Sequence, residues 1–387
     1  MIGTAGMAAT LAVAGTAGAN AALATASARR AAAPAGPVRF YVTNDNGPSD
    51  SPFPVLDTVT PVSGRTTLPA ITVGQNPSAI AITPNGQTAY VANSGAATPG
   101  TTVTPIRTAT NKAGKAIKVG KVPMAIAITP NGKTAYVANQ ASGTVTPIRT
   151  ATNRPGRAIK VGEAPAMLAI TPDGSTVYVV NTGSDTVTPI RTATNRAGKA
   201  IKVGQDPTAI AITPDGKTVY VVNRGSNTVT PIRTATGRAG KAIKVPAGPV
   251  AIVITPNGRT AYVASQKAAL VTPVATATNK TGTPISTGGY PDALAVTPNG
   301  RTVYAVNVGI LTYYDSTVTP IRTATDKPGT PITVGYGAGR IVITPNGRAA
   351  YVVNYYGNSM SRINIATNKV TATIGAGPFP FAIALVP

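Results

Sequence analysis

The stretch TAIAITPDGKTVYVVNRGSNTVTPIRTATGRAGKAIKV, residues 208–245, carries the pattern that decides the fold. Four short runs rich in β-branched residues are separated by Gly, Pro and Asn, which is typical of short β-strands. They predict strands A to D at residues 209–213, 218–223, 228–234 and 241–245. The A–B connection, Thr213-Pro214-Asp215-Gly216, is predicted to be a tight hairpin, because Pro presets φ and Gly accepts positive φ.

This four-strand unit recurs along the chain, and each copy contains a tetrapeptide close to Tyr-Val-x-Asn. From Tyr136 to Tyr304 the spacing is a constant 42 residues. A ring of such units protects sheet edges, so the repeat predicts an all-β, closed β-propeller of four-stranded antiparallel blades. An open solenoid would need distinct caps. The tetrapeptide begins at Tyr41, Tyr90, Tyr136, Tyr178, Tyr220, Tyr262, Tyr304 and Tyr351.

The two ends of the repeat region complement each other. The region starts with strands B, C and D at residues 38–43, 58–62 and 69–73, without a preceding strand A. It ends with a lone strand A at residues 381–386. We therefore expect the C-terminal strand to complete the first blade, which gives eight blades. Seven blades is the alternative, because the first copy is the most divergent.

A proline in strand C conflicts with this plan, because C should pair on both sides. Proline inside a sheet is normally confined to edges and bulges. We therefore expect either a bulge in strand C or a strand D too short to reach the proline. The prolines are Pro61, Pro105, Pro147, Pro189, Pro231, Pro273 and Pro320.

The first 37 residues differ in composition from the rest. They are rich in Ala, Gly and Thr, and Ala26-Ser27-Ala28 fits a signal-peptidase site. We interpret 1–37 as a signal peptide or low-complexity segment, with a disordered tail as the alternative, and 38–387 as the propeller. Export predicts a secreted or cell-envelope location. No later run is long enough for a transmembrane segment, and we expect a monomer.

Composition limits the chemistry. The chain has 34 Lys+Arg against 11 Asp+Glu, a net charge of +23, and neither Cys nor His. Without Cys it has no disulfides or thiolate zinc sites. Without His it lacks the commonest general base and transition-metal ligand. We expect no metal, no cofactor and no catalytic residues.

The Tyr-Val-x-Asn unit, its Pro-Asn/Asp-Gly turn and its Thr-Ala-Thr-Asn turn resemble the repeat of the YVTN β-propeller family, which includes YncE-like proteins. The resemblance covers residues 38–387. It implies a secreted or cell-surface prokaryotic protein of the quinoprotein-like superfamily, in which most members lack an assigned activity. The chain departs from the family in strand C, where the usual Asp is replaced by Ala275 or by Arg107, Arg149, Arg191, Arg233 and Arg322.

Loops are expected to share faces in pairs, with B–C and D–A loops on one face and A–B and C–D turns on the other. The B–C loops are longest in the first, second and seventh copies. Aromatic residues gather in the loops of the same sector and predict a binding patch for a surface protein or glycan. The alternative is that they fill gaps near the closure. The patch comprises Tyr290, Tyr313, Tyr314, Asp315, Tyr336, Tyr355, Tyr356 and Phe379.

A second candidate site is a basic rim on the outer edge of copies two to five. Basic surfaces attract polyanions, so anionic wall polymers or lipid headgroups are candidate partners. A merely solvated rim is the alternative. Nucleic acid is disfavoured, because no stacking aromatics interleave with the rim. The rim combines the strand-C arginines with Lys115, Lys118, Arg157, Lys160, Lys199, Lys202, Lys241 and Lys244, and with Lys112, Arg154, Arg196 and Arg238.

The sequence thus favours a non-enzymatic binding or scaffold protein at the cell envelope. The alternative is a propeller enzyme, a lactonase-like hydrolase or quinone-dependent dehydrogenase, with its site at the channel mouth. Asp173 and Asp215 occupy turn positions. Asp292 is placed near the aromatic patch, but no partner that would tune it is evident. Haem chemistry is disfavoured without a histidine ligand.

Overall fold

The computed structural model describes residues 38–45, 57–96, 98–308 and 316–387. The segment predicted as a signal peptide, 1–37, lies outside these residues. Eight antiparallel sheets form eight blades, so the prediction of eight is confirmed and the alternative of seven is wrong. We number the blades 1 to 8 along the chain, with the C-terminal strand assigned to blade 1.

Strands A and B form the inner half of each blade. In blade order, the A strands are Pro380–Leu385, Pro77–Ile82, Pro123–Ile128, Pro165–Ile170, Pro207–Ile212, Pro249–Ile254, Tyr290–Val296 and Ala338–Ile343. The B strands are Arg39–Asn44, Thr88–Gly95, Thr134–Asn139, Thr176–Asn181, Thr218–Asn223, Thr260–Ser265, Thr302–Val308 and Ala349–Asn354.

Strands C and D form the outer half. The C strands are Thr58–Ser63, Pro99–Arg107, Thr144–Arg149, Thr186–Arg191, Thr228–Arg233, Leu270–Ala275, Thr317–Arg322 and Ser359–Asn364. Strand D is split into two pieces in blades 1 to 7: Thr66–Thr67 and Ile71–Thr72, Lys112–Ala113 and Ile117–Lys118, Arg154–Pro155 and Ile159–Lys160, Arg196–Ala197 and Ile201–Lys202, Arg238–Ala239 and Ile243–Lys244, Lys280–Thr281 and Ile285–Ser286, Lys327–Pro328 and Ile332–Thr333. In blade 8 strand D is continuous, Lys369–Gly375. Short 3-10 turns occupy the B–C loops of blades 3 and 4, at Gln140–Ser142 and Thr182–Ser184.

The strand-C proline explains the split of strand D. In blade 2, Ala113 pairs with Ile106 and Ile117 pairs with Val103, so the gap in strand D lies opposite Pro105. A Cβ on Gly114 would lie 3.3 Å from the Pro105 ring, so glycine lets the chain pass over it. Blade 8 has Arg362 in place of the proline, and its strand D is uninterrupted. Neither expected form is found: strand D reaches the proline, whose carbonyl accepts a hydrogen bond from the Gly114 N–H at 2.7 Å, but the strand is interrupted there. The single strand D predicted at 241–245 is therefore corrected to two pieces.

The hydrophobic core consists of eight clusters, one at each interface between neighbouring blades. Between blades 5 and 6, for example, Tyr220 and Val222 pack with Ile252 and Val263. The A strands form the inner ring, and strand A of blade 1 contacts those of both blade 8 and blade 2. The ring is therefore closed.

The seam of the ring lies in blade 1, as predicted. Strand B of this blade pairs antiparallel with the C-terminal strand, with Phe40 opposite Leu385 and Val42 opposite Ile383. The Val386 N–H also donates to the Arg39 carbonyl at 2.9 Å. Backbone hydrogen bonds thus join the first described strand to the last.

The motif tyrosines tie each blade to the next. All eight rings are buried. In six blades the hydroxyl donates to a carboxamide or carboxylate oxygen in the C–D turn of the following blade, at a residue with positive φ. We call these contacts interblade tyrosine bonds. They join Tyr41 to Asn111, Tyr90 to Asn153 (2.6 Å), Tyr136 to Asn195 (2.7 Å), Tyr220 to Asn279 (2.7 Å), Tyr262 to Asp326 (2.5 Å) and Tyr304 to Asn368 (2.6 Å).

Two motif tyrosines face turns that carry glycine instead. For Tyr178 of blade 4, the C–D turn of the following blade has Gly237 at the acceptor position. For Tyr351 of blade 8, the C–D turn of blade 1 has Gly64 there. Tyr351 compensates by packing against Phe40 across the seam, with ring centroids 4.2 Å apart. Burial raises the pKa of Tyr90, Tyr136, Tyr220 and Tyr304 to about 12, so these phenols stay protonated donors at physiological pH.

Removal of the C-terminal strand tests the seam. A chain ending at Pro378 loses the buried side chains of Ala382, Ile383 and Leu385, and we expect it to lose roughly 5 kcal/mol of unfolding free energy. The measurement is the thermal unfolding midpoint by circular dichroism. A chain ending at Val386 keeps the strand and serves as control. Equal midpoints for the two chains would contradict the seam.

Gly237→Asn tests the interblade tyrosine bond. Gly237 has φ 63°, close to the values of the turn asparagines, and a Cβ there would meet only Ile201 Cδ1 at 3.9 Å. Asn accepts this conformation readily, so the new bond to Tyr178 should stabilise the fold by about 1 kcal/mol. Chemical denaturation measures the gain. The gain should vanish in Gly237→Asn/Tyr178→Phe; if it persists there, the bond is not its cause.

Candidate functional site

The two faces of the ring are distinct, as expected. On one face, B–C loops bond to D–A loops: the Arg224 N–H donates to the Asp206 carbonyl at 2.8 Å. On the other face, the A–B turns bond to the residues that follow strand C: the Thr108 hydroxyl donates to the Gly86 carbonyl at 2.5 Å. Variable loops therefore surround one mouth of the channel, and uniform turns surround the other.

The basic rim lies on the outer edge, where the sequence places it. Every cation assigned to it is exposed. Residues at the end of strand C and the start of strand D are direct cross-strand neighbours, and both carry positive charge in five blades. These like-charged pairs are Arg107–Lys112, Arg149–Arg154, Arg191–Arg196, Arg233–Arg238 and Arg322–Lys327.

Further cations continue the rim along strand D. Lys115, Arg157, Lys199 and Lys241 lie in the gap between the two pieces of strand D, and Lys118, Lys160, Lys202 and Lys244 lie at its end. Within the described parts of the chain, the ion pairs are Lys217–Asp215 at 4.0 Å and Arg340–Asp292 at 3.4 Å. Neither involves the rim, so its charges are not neutralised by carboxylates of the described residues.

Four members of the aromatic patch form one cluster on the face of the variable loops. Tyr336 stacks on Tyr356 with centroids 5.1 Å apart, and Tyr356 meets Tyr355 edge-on at 4.9 Å. Tyr355 in turn contacts Phe379 at 5.4 Å. These residues come from the D–A and B–C loops of blade 8 and from the last D–A loop. Tyr356 is 36% exposed, and it is the one large hydrophobic side chain exposed among the described residues.

The other members of the patch have different outcomes. Tyr290 is half-buried and begins strand A of blade 7, where it pairs with Val308. Tyr313, Tyr314 and Asp315 lie outside the described residues. The Tyr355 hydroxyl donates to Asp45 Oδ1 at 2.8 Å, and burial, with the charge of Asp45, raises the pKa of Tyr355.

A buried ion pair, absent from the sequence-based prediction, adjoins this cluster. Arg340 Nη1 lies 3.4 Å from Asp292 Oδ2, and the two side chains are 6% and 13% exposed. Gln266 Nε2 donates to Asp292 Oδ1 at 3.1 Å. The Arg340 guanidinium lies over Phe381, 5.5 Å from the ring centroid, and Phe381 is 6.5 Å from Tyr355. The aromatic cluster therefore continues inward to a buried charge.

Bulges at the start of the A strands place this pair at the channel mouth. Each A strand shifts register near its start, between Pro291 and Ala293 in blade 7 and between Ala338 and Arg340 in blade 8. Bulges re-aim side chains and are frequent beside active sites. Asp292 lies in one bulge, and Arg340 follows the other.

Electrostatics distinguish this pair from the other charged residues. Burial raises the pKa of Asp292, an effect opposed by the charges of Arg340 and Arg224. Burial lowers the pKa of Arg340, opposed by Asp292. Arg340 Nη2 is buried without a hydrogen-bond partner. A buried unpaired donor costs about 1–3 kcal/mol, so it calls for a specific explanation.

Alignment of the A strands would have revealed Arg340. At its position, six blades have Ala and blade 4 has Met167. At the preceding position, Asp292 is the one charged residue. Sequence reasoning named Asp292 but missed its partner, because 48 residues separate them and only ring geometry makes blades 7 and 8 neighbours at the channel.

The remaining acidic candidates are structural, as predicted. Asp173 and Asp215 accept hydrogen bonds within their A–B turns, from Thr171 at 2.5 Å and Thr213 at 2.6 Å. These bonds lower the pKa of both carboxyls. No group of three acidic residues in the described chain could hold a metal ion. Nor do the described residues include a helix long and apolar enough to cross a membrane.

Two family models match parts of the chain. Residues 163–272 match the YNCE-like beta-propeller, and residues 55–154 match the Lactonase, 7-bladed beta-propeller. Together the matches fall within the propeller and overlap neither each other nor the first 37 residues. No curated protein matches the chain.

Several solved structures share the fold. Hydrazine synthase of Kuenenia stuttgartiensis has 24% identity and a TM-score of 0.60, covering 75% of this chain and 96% of that one. The dihydro-heme d1 dehydrogenase NirN, in complex with DHE, has 14% identity and a TM-score of 0.72, covering 92% and 76%. A functionally unknown protein from Desulfotomaculum acetoxidans has 16% identity and a TM-score of 0.59, covering 90% and 98%. At these identities the likeness concerns the fold alone.

A double-mutant cycle tests the buried ion pair. Arg340→Met leaves Asp292 as an unpaired buried charge, and we expect a loss of about 3–5 kcal/mol in unfolding free energy. Arg340→Met/Asp292→Asn removes both charges and keeps an acceptor for Gln266, so it should recover most of the loss. Urea denaturation measures each variant. Additive losses would contradict a direct interaction.

Proposed function

We propose that this YncE-like β-propeller is a non-enzymatic binding protein of the cell envelope, which holds an anionic wall polymer along its basic rim. The observation that carries the proposal is the cross-strand cation pair, repeated in the four rim blades, 2 to 5, and again in blade 7. Like charges directly opposite each other destabilise a sheet. A polyanion bound across the pairs would relieve that repulsion in the bound state.

The dimensions of the rim suit an extended polymer. In blade 2, the cations run from Arg107 and Lys112 at one end of strand C to Lys118, opposite Thr102, at the other. Five residues of strand span about 17 Å. Similar stripes on blades 3 to 5 offer repeated contacts for repeated phosphates or carboxylates, as in teichoic-type polymers. The net charge of +23 would also speed encounter with such a polymer.

Export and a monomeric state are parts of this proposal. Support for export comes from Ala26-Ser27-Ala28 and the change in composition near residue 37. The closed ring satisfies its own sheet edges at the seam, so a single chain suffices for the fold.

A propeller enzyme is the second candidate, and two observations favour it. Residues 55–154 match a lactonase propeller model, and Asp292 is a buried carboxyl beside a channel mouth. Without His, and without an acidic cluster among the described residues, the chain offers no evident ligand set for a catalytic metal. A stoichiometric metal or quinone in the purified protein would nevertheless decide for the enzyme.

Neutralising part of the rim tests the proposal. We expect the unaltered protein to bind poly(glycerol phosphate) with affinity that falls steeply with salt. The variant Arg154→Gln/Arg157→Gln/Arg196→Gln/Lys199→Gln should bind at least about tenfold more weakly, and its slope of log affinity against log salt should shrink by up to about 3, because fewer counterions are released. Calorimetry over a salt series measures both quantities.

A matched variant controls for net charge. Arg259→Gln/Lys267→Gln/Arg348→Gln/Lys369→Gln also removes four exposed charges, but from blades 6 and 8, which lie outside the rim of blades 2 to 5. Its binding should change less than about threefold, since distant charges are largely screened. Equal losses in the two variants would refute a rim site, and affinity independent of salt would refute polyanion binding altogether.

A further inference from the structure

We propose that a cavity between blades 4 and 5, on the face of the uniform turns, binds an N-acetylated amino sugar. The carbonyl oxygen of the acetamido group would accept a hydrogen bond from the Tyr178 hydroxyl, and sugar hydroxyls would donate to Asp173. This site goes beyond the polymer proposal, because it lies on a turn face rather than on the rim and takes a neutral ligand.

The first support is the cavity itself. Its volume is about 810 Å³, within the range of about 300–1,000 Å³ that is typical of small-molecule sites. Blade 4 contributes Asp173 and Tyr178 to its wall, and blade 5 contributes Asp215 and Thr234. Apolar surface comes from the prolines of three successive A–B turns, Pro130, Pro172 and Pro214. The cavity therefore has room for a monosaccharide and offers it both polar groups and apolar surface.

The second support is the unpartnered hydroxyl of Tyr178. The residue is 97% buried, as its exposure is 3%, and it faces Gly237, which has no side chain to accept the interblade tyrosine bond. The hydroxyl makes no hydrogen bond to any described residue. It is not among the inaccessible atoms that lack a partner, and Tyr178 lines the cavity. A donor is thus available to a ligand in the cavity.

Departures from the repeat coincide at this cavity. The hydroxyl of Thr234 donates to the Lys217 carbonyl at 3.1 Å, whereas its counterpart in four other blades donates to the preceding glycine carbonyl. Ser175 stands where the other A–B turns have Gln, Lys or Arg. Asp173 and Asp215 replace the asparagine of the other A–B turns, which is Asn85, Asn131, Asn257, Asn299 or Asn346.

Asp173 also keeps an acceptor for the ligand. Its hydrogen bonds within the described chain all go to Oδ1, from the Thr171 hydroxyl at 2.5 Å and from the N–H and hydroxyl of Ser175 at 3.0 and 2.9 Å. These bonds lower the pKa of the carboxyl, so it is ionised at neutral pH. Oδ2 therefore remains as a charged acceptor, and charged acceptors form the stronger hydrogen bonds with hydroxyl donors.

The charges around the cavity favour a neutral ligand. Asp173 and Asp215 line it, and Lys217 Nζ lies 4.0 Å from Asp215 Oδ2. Arg191 and Arg233 end the C strands of blades 4 and 5 on the same face, and each faces a further arginine of the rim across the strands. Because cations surround the two carboxylates, an ionic ligand of either sign meets repulsion here. A neutral ligand with hydroxyl donors does not.

The missing turn residue indicates the polar group of the ligand. At five other interfaces the tyrosine hydroxyl donates to a carboxamide oxygen, and an acetamido group presents the same kind of oxygen to Tyr178. A pyranose ring supplies hydroxyls for Asp173 Oδ2 and C–H faces for the prolines. An N-acetylated amino sugar thus combines the three features that the cavity calls for.

The experiment uses the methyl glycosides of N-acetylglucosamine, N-acetylgalactosamine and N-acetylmannosamine as probes. Each is compared with the parent hexose and with the free amine. We expect at least one acetamido sugar to bind the full-length protein saturably, with an affinity about tenfold higher than that of either counterpart. Saturation-transfer NMR detects binding, and a chemical-shift titration gives the affinity. This affinity should be nearly independent of salt, unlike that of a polyanion for the rim.

Three variants locate the site. Gly237→Asn supplies an internal oxygen for Tyr178 and should weaken sugar binding at least about tenfold, although it is expected to stabilise the fold. Tyr178→Phe removes a hydroxyl without a partner, so it should weaken binding about fivefold or more and leave the unfolding midpoint unchanged. Asp173→Asn introduces the residue of the other turns and should also weaken binding. Gly64→Asn makes the matched change at the same φ of 63° in blade 1 and should bind like the unaltered protein.

The outcomes that overturn the proposal are specific. It fails if no acetamido sugar binds by about 10 mM, if the parent hexose binds as tightly, or if Gly237→Asn and Tyr178→Phe both bind like the unaltered protein. Tighter binding of the free amine than of its acetamide would make the cavity a cation site and would overturn the acetamido assignment. Affinity that falls steeply with salt would show ionic recognition and would also overturn it.

Discussion

The hydrogen bond from a buried tyrosine to the next blade is the directional interaction that orients six of the eight blade interfaces. The hydrophobic clusters between blades favour burial but do not fix the rotation of one sheet against another, because apolar packing is not directional. A phenol that must reach one oxygen in a turn with positive φ does fix it. The repeat therefore encodes geometry as well as burial, with the donor in strand B of one blade and the acceptor in the C–D turn of the following one.

This arrangement leaves one face free to vary. The tyrosine bonds and the A–B turns occupy the face with uniform turns, so sequence change there would disturb the ring. The B–C and D–A loops do not take part in the interblade tyrosine bonds. The aromatic cluster and the Arg340–Asp292 pair both occur among these loops. The seam lies in the same sector. Blades 2 to 5 remain close to the consensus repeat and carry the rim instead.

The sequence predicted most of the fold, because the repeat shows each strand eight times. Blade number, the completion of blade 1 and the pairing of loops on two faces follow from strand order alone. The split of strand D was not predicted: the proline led us to expect a bulge in strand C or a short strand D, whereas strand D continues past the proline in two pieces. Within the site, the exposed cations and the cluster of Tyr336, Tyr355, Tyr356 and Phe379 were predicted. The ion pair was not, because a single departure in one repeat column acquires meaning only once blade 8 is known to lie beside blade 7.

The proline that interrupts strand D also governs how the protein meets other proteins. An uninterrupted outer strand presents a row of free backbone donors and acceptors to which a foreign strand can add. In blades 1 to 7 the proline and the gap opposite it shorten that row to two-residue fragments. Blade 8 has no such proline, and its strand Lys369–Gly375 keeps a continuous edge with exposed side chains at alternate positions. Blade 8 therefore presents a longer outer strand than the other blades, and the register shift opposite Arg362 is what interrupts the regularity of that edge.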